Sequence, residues 1–380
     1  MAAWEKWLER WETDGLIPAE SAARIRAFEA GKNAGEHLRW PVLLVLALGG
    51  LLLSGGVLLF VAAHWDTLSP GARFGLVLAL VAVFPLASAF VSERFRPLAV
   101  TLYAVGTACA GAGIFLAAQL FNLQEHWPDG LLLWSLAALA AWWLVRSWPQ
   151  AVLVALLTPA WLLGEWLQRT ERSVVDPRLP IEAALLLAIT YATARDPATP
   201  SVARTAVTGI GLVASIPATL VLVSTDNFPS GFGLAVAPAS VMVSAVGWTV
   251  ALGAPLALAL ILRGRRAWVN VLAAVWVLVL GTTCHHGPAT RWQELGPYAW
   301  CALGALGMGA LGVSERKREG IELGVVGFAL TVLLFYFSNV MDKLGRATSL
   351  IGFGLIFLLG GWFLERVRRG LLARVRGAAR

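Results

Sequence analysis

Charged residues are scarce in this chain. They make up 14% of the sequence, against 58% for hydrophobic residues, whereas about 25% of the residues are charged in an average soluble domain. So few charged side chains cannot cover the surface of a water-soluble protein of 380 residues. The composition therefore predicts an integral membrane protein in contact with the lipid bilayer, and it excludes an ordinary soluble fold.

Cysteine is scarce as well, and familiar catalytic motifs are missing. Cys109, Cys284 and Cys301 predict no disulfide framework, and no C-x-x-C or H-x-x-x-H spacing predicts a metal site. The sequence has no P-loop, G-x-S-x-G, H-E-x-x-H or Rossmann fingerprint. Its Lys and Arg residues form short clusters without interleaved aromatic residues, which is not typical of a nucleic-acid interface. We therefore expect no enzyme of a known soluble type, no cofactor, no metal and no nucleic-acid partner.

Long apolar runs are abundant, and the first of them sets the pattern. Residues 41–63 contain no charged residue, and as a helix they would extend roughly 34 Å, enough to cross a hydrocarbon core of about 30 Å. Similar runs recur near 41–63, 72–91, 97–121, 129–146, 149–168, 179–194, 204–224, 237–262, 267–283, 295–314, 320–340 and 346–364. The fold class predicted is all-α: a polytopic integral membrane helix bundle of about 12 transmembrane helices.

The basic residues predict the orientation of these spans, because loops rich in Lys and Arg are retained in the cytoplasm. With both termini inside, 23 of the 30 Lys and Arg residues fall on the cytoplasmic side and 7 on the outer side. The predicted organisation is a cytoplasmic helical hairpin over 1–40, a transmembrane bundle over 41–364 and a basic cytoplasmic tail over 365–380. This arrangement predicts a multi-pass membrane protein with both termini in the cytoplasm.

The N-terminal hairpin carries an apolar face on its first helix. Trp4, Trp7, Leu8 and Trp11 recur at helical spacing, while charged residues occupy the other face. Asp14-Gly15 is expected to end this helix, and a second helix is expected to begin near Pro18. Two interpretations stay open. The two helices pack on each other, or the face with Trp4, Trp7 and Trp11 lies on the membrane or receives a partner helix.

The first candidate binding residues lie where the first span ends. His64, Trp65 and Asp66 close that span, and Arg73 lies at the start of the second. Asp66 and Arg73 can pair across the short turn between the spans. The set is either a clasp that joins two helices or a binding site at the outer mouth of a cavity.

A second candidate pair lies near the outer end of the third span. Gln119 and Asn122 are three residues apart there. A glutamine that faces lipid leaves its amide without a partner, so we expect Gln119 to face the bundle. The pair either joins helices or lines a polar vestibule. His126, His285 and His286 are interpreted as solvated loop residues.

Two functional hypotheses follow from these patterns. In the first, the protein binds or transports a small solute through a site at its outer face, built from His64, Asp66, Gln119 and Asn122. In the second, it is a non-transporting membrane sensor or scaffold whose N-terminal hairpin engages a cytoplasmic partner. An intramembrane enzyme that uses the outer His and Asp residues is a weaker third alternative.

Several motifs together resemble those of one family. They are the pattern W-L-x-x-W-x-x-x-G-L-I over 7–17, the sequence Ala-His-Trp-Asp over 63–66, the segment 113–122 with its Ala-Gln pair, and Leu133-Trp134. In these motifs the chain resembles the DUF2157 predicted membrane proteins of bacteria, most closely over residues 1–145. The resemblance implies a polytopic inner-membrane protein with a cytoplasmic N-terminal helical segment, and it supplies no catalytic residues.

Overall fold

The chain folds into two compact units in the computed structural model, and nearly all of what it shows is helical. The structure describes residues 3–36, 69–120, 126–171, 173–174, 176, 178–196, 201–224, 237–238, 240–283 and 291–340, with scattered positions between 45 and 59 and Arg366. The units are Met1–Leu120 and Phe121–Arg380.

Two helices begin the first unit, α1 (Ala3–Thr13) and α2 (Ala19–Glu36). α1 ends just before Asp14-Gly15, as the sequence predicts, and Gly15 adopts a φ of 70°, which favours glycine. Arg26 Nη2 and Glu12 Oε2 are 2.6 Å apart and join the two helices. Both helices therefore lie where they are expected, while the autonomous cytoplasmic hairpin stays a prediction.

The first unit continues with α3 (Pro70–Val91) and α4 (Arg96–Leu120). The Ser69 side chain accepts a hydrogen bond from the Ala72 amide at 3.3 Å and caps α3, and Pro70 occupies the first helical position. The two helices pack side by side in opposite directions, and the Ser88 hydroxyl donates to the Ala99 carbonyl at 2.7 Å near the turn. Short loops favour such antiparallel pairing of neighbouring helices.

The second unit contains eight helices among its described residues. They are α5 (Pro128–Val145), α6 (Trp148–Thr170), α7 (Leu179–Ala192), α8 (Val202–Val223), α9 (Val241–Arg263), α10 (Trp268–Thr283), α11 (Arg291–Ser314) and α12 (Arg318–Phe335). A 3-10 turn, Gly264–Ala267, joins α9 to α10, and a π-helical turn, Tyr336–Val340, follows α12. The strands β1 (Ser173–Val174) and β2 (Ala237–Pro238) form a short parallel pair.

Helix α7 lies at the centre of the second unit. It packs against α8, α9 and α10, while α5 pairs with α6 and α11 with α12. Its side chains Leu185, Leu186 and Ile189 form the core with Leu222 of α8 and with Ala274, Val277 and Leu280 of α10. The central position is consistent with its sequence, which carries apolar or small residues on every face after its first turn.

Glycine permits a close approach between α7 and α8. A Cβ atom added at Gly211 of α8 would clash with the Ala192 amide nitrogen and lie only 2.5 Å from the Ala188 carbonyl oxygen. Both are backbone atoms of α7, which cannot move aside as a side chain can. Small residues allow such contacts between helices in lipid, where close packing drives association.

The predicted spans agree with the helix positions. Helices α3 to α12 lie at predicted spans two to eleven, whereas span one (41–63) and span twelve (346–364) fall largely or wholly outside the described residues. Within the described part, seven segments are long and apolar enough to cross a membrane: Phe74–Val91, Arg96–Gln119, Pro128–Val145, Trp148–Thr170, Val202–Val223, Val241–Thr283 and Arg318–Ser338. The structure therefore supports several membrane-crossing helices, and the count of about 12 stays a prediction.

Candidate functional site

A cavity of about 670 Å³ lies among α7, α8, α10, α11 and α12. Binding pockets for small molecules typically measure about 300–1,000 Å³. Most of its lining side chains are aliphatic or aromatic, including Leu185, Ile189, Leu272, Trp276, Leu303 and Leu306. The cavity is therefore large enough for a small molecule, and its wall is mainly apolar.

Three hydroxyl groups along the apolar part of the wall are bonded to their own helices. The Ser215 hydroxyl donates to the Leu212 carbonyl at 2.9 Å, and the Thr219 hydroxyl donates to the Ser215 carbonyl at 2.8 Å. The Thr331 hydroxyl likewise donates to the Gly327 carbonyl at 2.8 Å. Because these protons are used within the helices, the three hydroxyls offer the cavity acceptor oxygens but no free donor.

The cavity is open on one side. Leu303 and Leu306 of α11 line it and are 52% and 59% exposed, respectively. Leu272 of α10 also lines the cavity and is exposed to a similar degree. Large apolar side chains that stay exposed beside an opening are suited to contact with lipid chains rather than with water.

At one end the cavity wall becomes polar. Asn270 of α10 is fully buried, and its Oδ1 atom accepts a hydrogen bond from Arg263 Nη1 at 3.1 Å. Its Nδ2 atom donates to the hydroxyls of Thr190 and Thr193 at 3.3 and 3.2 Å. Asn270 therefore ties α7 to α10 and to the end of α9, and both Asn270 and Thr193 line the cavity.

Ionised side chains extend this polar end. Arg263 pairs with Glu315, and Lys317 Nζ lies 2.7 Å from Glu315 Oε2. Lys317 also donates to the Thr193 carbonyl at 3.3 Å. We call Thr193, Arg263, Asn270, Glu315 and Lys317 the polar cluster. It contains two basic side chains against one acidic side chain, so its formal charge is positive.

Further ion pairs surround the polar cluster towards the surface. Arg195 pairs with Glu319, and Arg266 Nη1 lies 4.0 Å from Asp196 Oδ1. The connections that follow α7, α9 and α11 therefore meet at one end of the second unit. Helices that cross a layer in alternating directions would bring these three connections to the same side.

A second charged group lies where α6 ends. Glu165 Oε2 is 2.7 Å from His126 Nε2, and Glu165 Oε1 is 2.6 Å from Arg169 Nη2. His126 is therefore half-buried and bonded, which corrects its interpretation as a solvated loop residue. It lies two residues before the start of α5, which packs against α6. Among the described residues, no three His, Cys, Asp or Glu side chains are grouped so that they could hold a metal ion.

The residues predicted to form the outer site are mostly not covered by the structure. His64, Trp65, Asp66 and Asn122 lie outside the described residues, and Arg73 lies in the first turn of α3. These candidates, including the pairing of Asp66 with Arg73, stay predictions.

Gln119 is exposed, so the expectation that it faces the bundle is wrong. It is the residue before the last of α4. At a helix end its amide can reach the polar interface, where water satisfies it, and it needs no partner from the bundle.

Sequence reasoning missed the polar cluster. Its basic residues were interpreted only as orientation signals, and Glu315 is hidden among its basic neighbours Arg316, Lys317 and Arg318. One signal was available. Asn270 is an isolated amide near the start of an apolar run, and such a residue needs a partner inside a membrane bundle.

A comparison with protein families bears on the first part of the chain. Residues 9–151 match the family model DUF2157, described as a predicted membrane protein. The resemblance deduced from the motifs is therefore confirmed over those residues. The DUF2157 match ends before α7, so it assigns no role to the cavity or to the polar cluster. No curated protein and no solved structure matches the chain.

Proposed function

We propose that this protein is a multi-pass membrane protein that binds an amphipathic, lipid-like molecule in the cavity of its second unit. The observation that carries the proposal is the apolar wall of the 670 Å³ cavity together with its open side at Leu303 and Leu306. A hydrated solute would lose its hydrogen bonds to water in such a space, whereas an alkyl chain has none to lose. The proposed activity is binding rather than catalysis.

The polar cluster suggests the chemistry of the head group. Thr193 and Asn270 belong both to the cavity wall and to the cluster, so one end of a bound molecule would lie beside Arg263 and Lys317. With one acidic and two basic side chains there, an acidic head group is electrostatically favoured. A fatty acid and an acidic phospholipid share this chemistry.

The surrounding bilayer determines which interactions can contribute to the binding free energy. Lipid tails are as apolar as leucine side chains, so moving an alkyl chain from lipid into the cavity gains no hydrophobic free energy. Selectivity must then come from the shape of the cavity and from the head group. The proposed binding site therefore lies in the interior of the second unit and not at the predicted outer mouth.

Filling the cavity should abolish binding. Gly307 lines the cavity, and a Cβ atom added there meets nothing within 4 Å, so Gly307→Trp introduces an indole into open space. We expect saturable binding of tritiated palmitate to the delipidated protein in detergent, and at least a tenfold loss of affinity in Gly307→Trp.

Gly309 provides the matched control for this experiment. It lies on the same helix, has the same free space at its Cβ position, and does not line the cavity. Gly309→Trp should bind palmitate as the wild type does. Equal affinity of wild type and Gly307→Trp, or only non-saturable binding to the wild type, would contradict the proposal.

A second candidate function is the sensor or scaffold, and the exposure of Trp11 favours it. Trp11 is 43% exposed on α1, whereas Leu8 on the same helix is buried. We propose that the Trp4, Trp7 and Trp11 face of α1 contacts a cytoplasmic protein. A photocrosslinking residue at position 11 should then give one discrete protein adduct in cells, and the exposed position 9, across the helix, should give none. Adducts with lipid alone would identify a membrane-surface role instead.

We also propose the inner-membrane location with both termini in the cytoplasm. The distribution of 23 basic residues inside and 7 outside supports it. The meeting of Arg195, Arg263 and Lys317 at one end is consistent with it, because all three belong to predicted cytoplasmic connections.

A further inference from the structure

A buried carboxyl group lies at the other end of α7. Glu182 belongs to the first turn of this helix and is 4% exposed. Its Oε2 atom has no hydrogen-bond partner within the part of the chain that the structure describes. Its Oε1 atom rests against Gly281 of α10 and leaves no room for a methyl group there. The carboxyl group is therefore enclosed between two helices.

The nearest charges belong to the segment before α7. Arg178 is also buried, and its Nη1 atom donates to the Gly281 carbonyl at 2.9 Å. The Asp176 carboxylate accepts from the Arg178 amide at 3.0 Å. Asp176 and Arg178 carry opposite charges, so their effects on a charge at Glu182 oppose each other.

The helices packed around Glu182 add almost no charge near it. α10 contains no acidic or basic residue, and α8 and α9 contain only Arg204 and Arg263. Arg204 belongs to the first turn of α8 and Arg263 to the polar cluster, so both lie towards the opposite end of α7. On α6, Glu165 and Arg169 bind each other. His285 and His286 follow α10 and lie outside the described residues.

Glu165 shows the contrasting arrangement. It too is a glutamate near a helix end, but it has a hydrogen-bonded His126 at 2.7 Å and an Arg169 at 2.6 Å. Both of its oxygens are satisfied as a carboxylate. Glu182 is also buried, but its Oε2 atom has no such partner among the described residues.

We propose that Glu182 is a proton-binding site, held as the neutral acid inside the second unit. An unpaired buried carboxylate is costly, and binding a proton removes the charge. Ionisable groups inside membrane bundles commonly serve as proton sites. Glu182 lies one helical turn from Leu185, which lines the cavity, so the proton would sit at the end of the cavity opposite the polar cluster.

Infrared spectroscopy of the full-length protein in lipid nanodiscs tests this proposal. At neutral pH the wild type should show the carbonyl band of a protonated carboxylic acid, and the band should disappear when the pH is raised. Glu182→Gln, which keeps the shape of the side chain, should lose this band. Glu165→Gln should retain it.

Two results would overturn the proposal: a wild type without a protonated carboxyl band at neutral pH, or a band that survives in Glu182→Gln. If Glu182→Gln fails to fold, a measurement on the wild-type protein still tests the proposal. Protein labelled with ¹³C at the glutamate carboxyl carbons should show one neutral glutamate at neutral pH by solid-state NMR. All glutamates ionised would reject the site without any variant. Neither measurement depends on palmitate binding, so the two proposals can fail separately.

Discussion

Arg263→Met should destabilise the second unit by about 3 kcal/mol, because it leaves buried polar groups without their partner. The Arg263 side chain is 4% exposed and the Glu315 side chain 13%. Without the guanidinium, Asn270 Oδ1 loses its charged donor and Glu315 keeps only Lys317. Because this pair remains, the expected loss lies at the low end of the range for broken buried ion pairs. Thermal unfolding of the purified protein in detergent measures the loss.

The control for Arg263→Met is an exposed ion pair on α12. Arg318 Nε lies 2.8 Å from Glu322 Oε1, and the two side chains are 57% and 39% exposed. Surface pairs of this kind contribute about 0–1 kcal/mol, so Arg318→Met should change the unfolding temperature little. Similar shifts in the two variants would show that the polar cluster does not stabilise the fold.

Gly211→Ala should destabilise the contact between α7 and α8 by about 1–3 kcal/mol, the usual cost of overpacking a close contact. The added methyl group meets the Ala192 nitrogen and the Ala188 carbonyl oxygen, and these backbone atoms yield only if the helices separate. Because α7 forms the core, the separation would disturb the cavity wall at Ile189 as well. The measurement is again thermal unfolding in detergent.

Gly209 lies two residues earlier on the same helix and tests the explanation. A Cβ atom added there meets nothing within 4 Å. Gly209→Ala should therefore be neutral or stabilise the protein by about 0.5–1 kcal/mol, because alanine favours the helix. Comparable losses of stability in Gly209→Ala and Gly211→Ala would mean that the close contact between α7 and α8 does not cause the loss.

The helix positions could be predicted because membrane helices are encoded locally. Apolar runs separated by short polar turns place α3 to α12 within a few residues of the predicted spans. The differences have local causes. Predicted span eight begins at residue 237, whereas α9 begins at Val241, because Ser240 caps the helix and Ala237–Pro238 pairs with β1.

The cavity and the polar cluster could not be predicted, because they depend on contacts between distant parts of the chain. Asn270 bonds Thr190, which is 80 residues away, and Lys317 reaches the carbonyl of Thr193 across 124 residues. A hydropathy pattern shows that a helix forms and not which neighbour it receives. Gln119 was placed incorrectly for a different reason: an amide at a helix end can be satisfied by water and needs no partner from the bundle.

The length of α7 has a consequence for the barrier between its two ends. Its 14 residues extend about 21 Å, which is shorter than a hydrocarbon core of about 30 Å. Longer helices, α8 and α9, pack beside it. If these neighbours cross the bilayer, both ends of α7 lie below the membrane surfaces. Glu182 near one end and Lys317 near the other would then be separated by a barrier thinner than the surrounding bilayer.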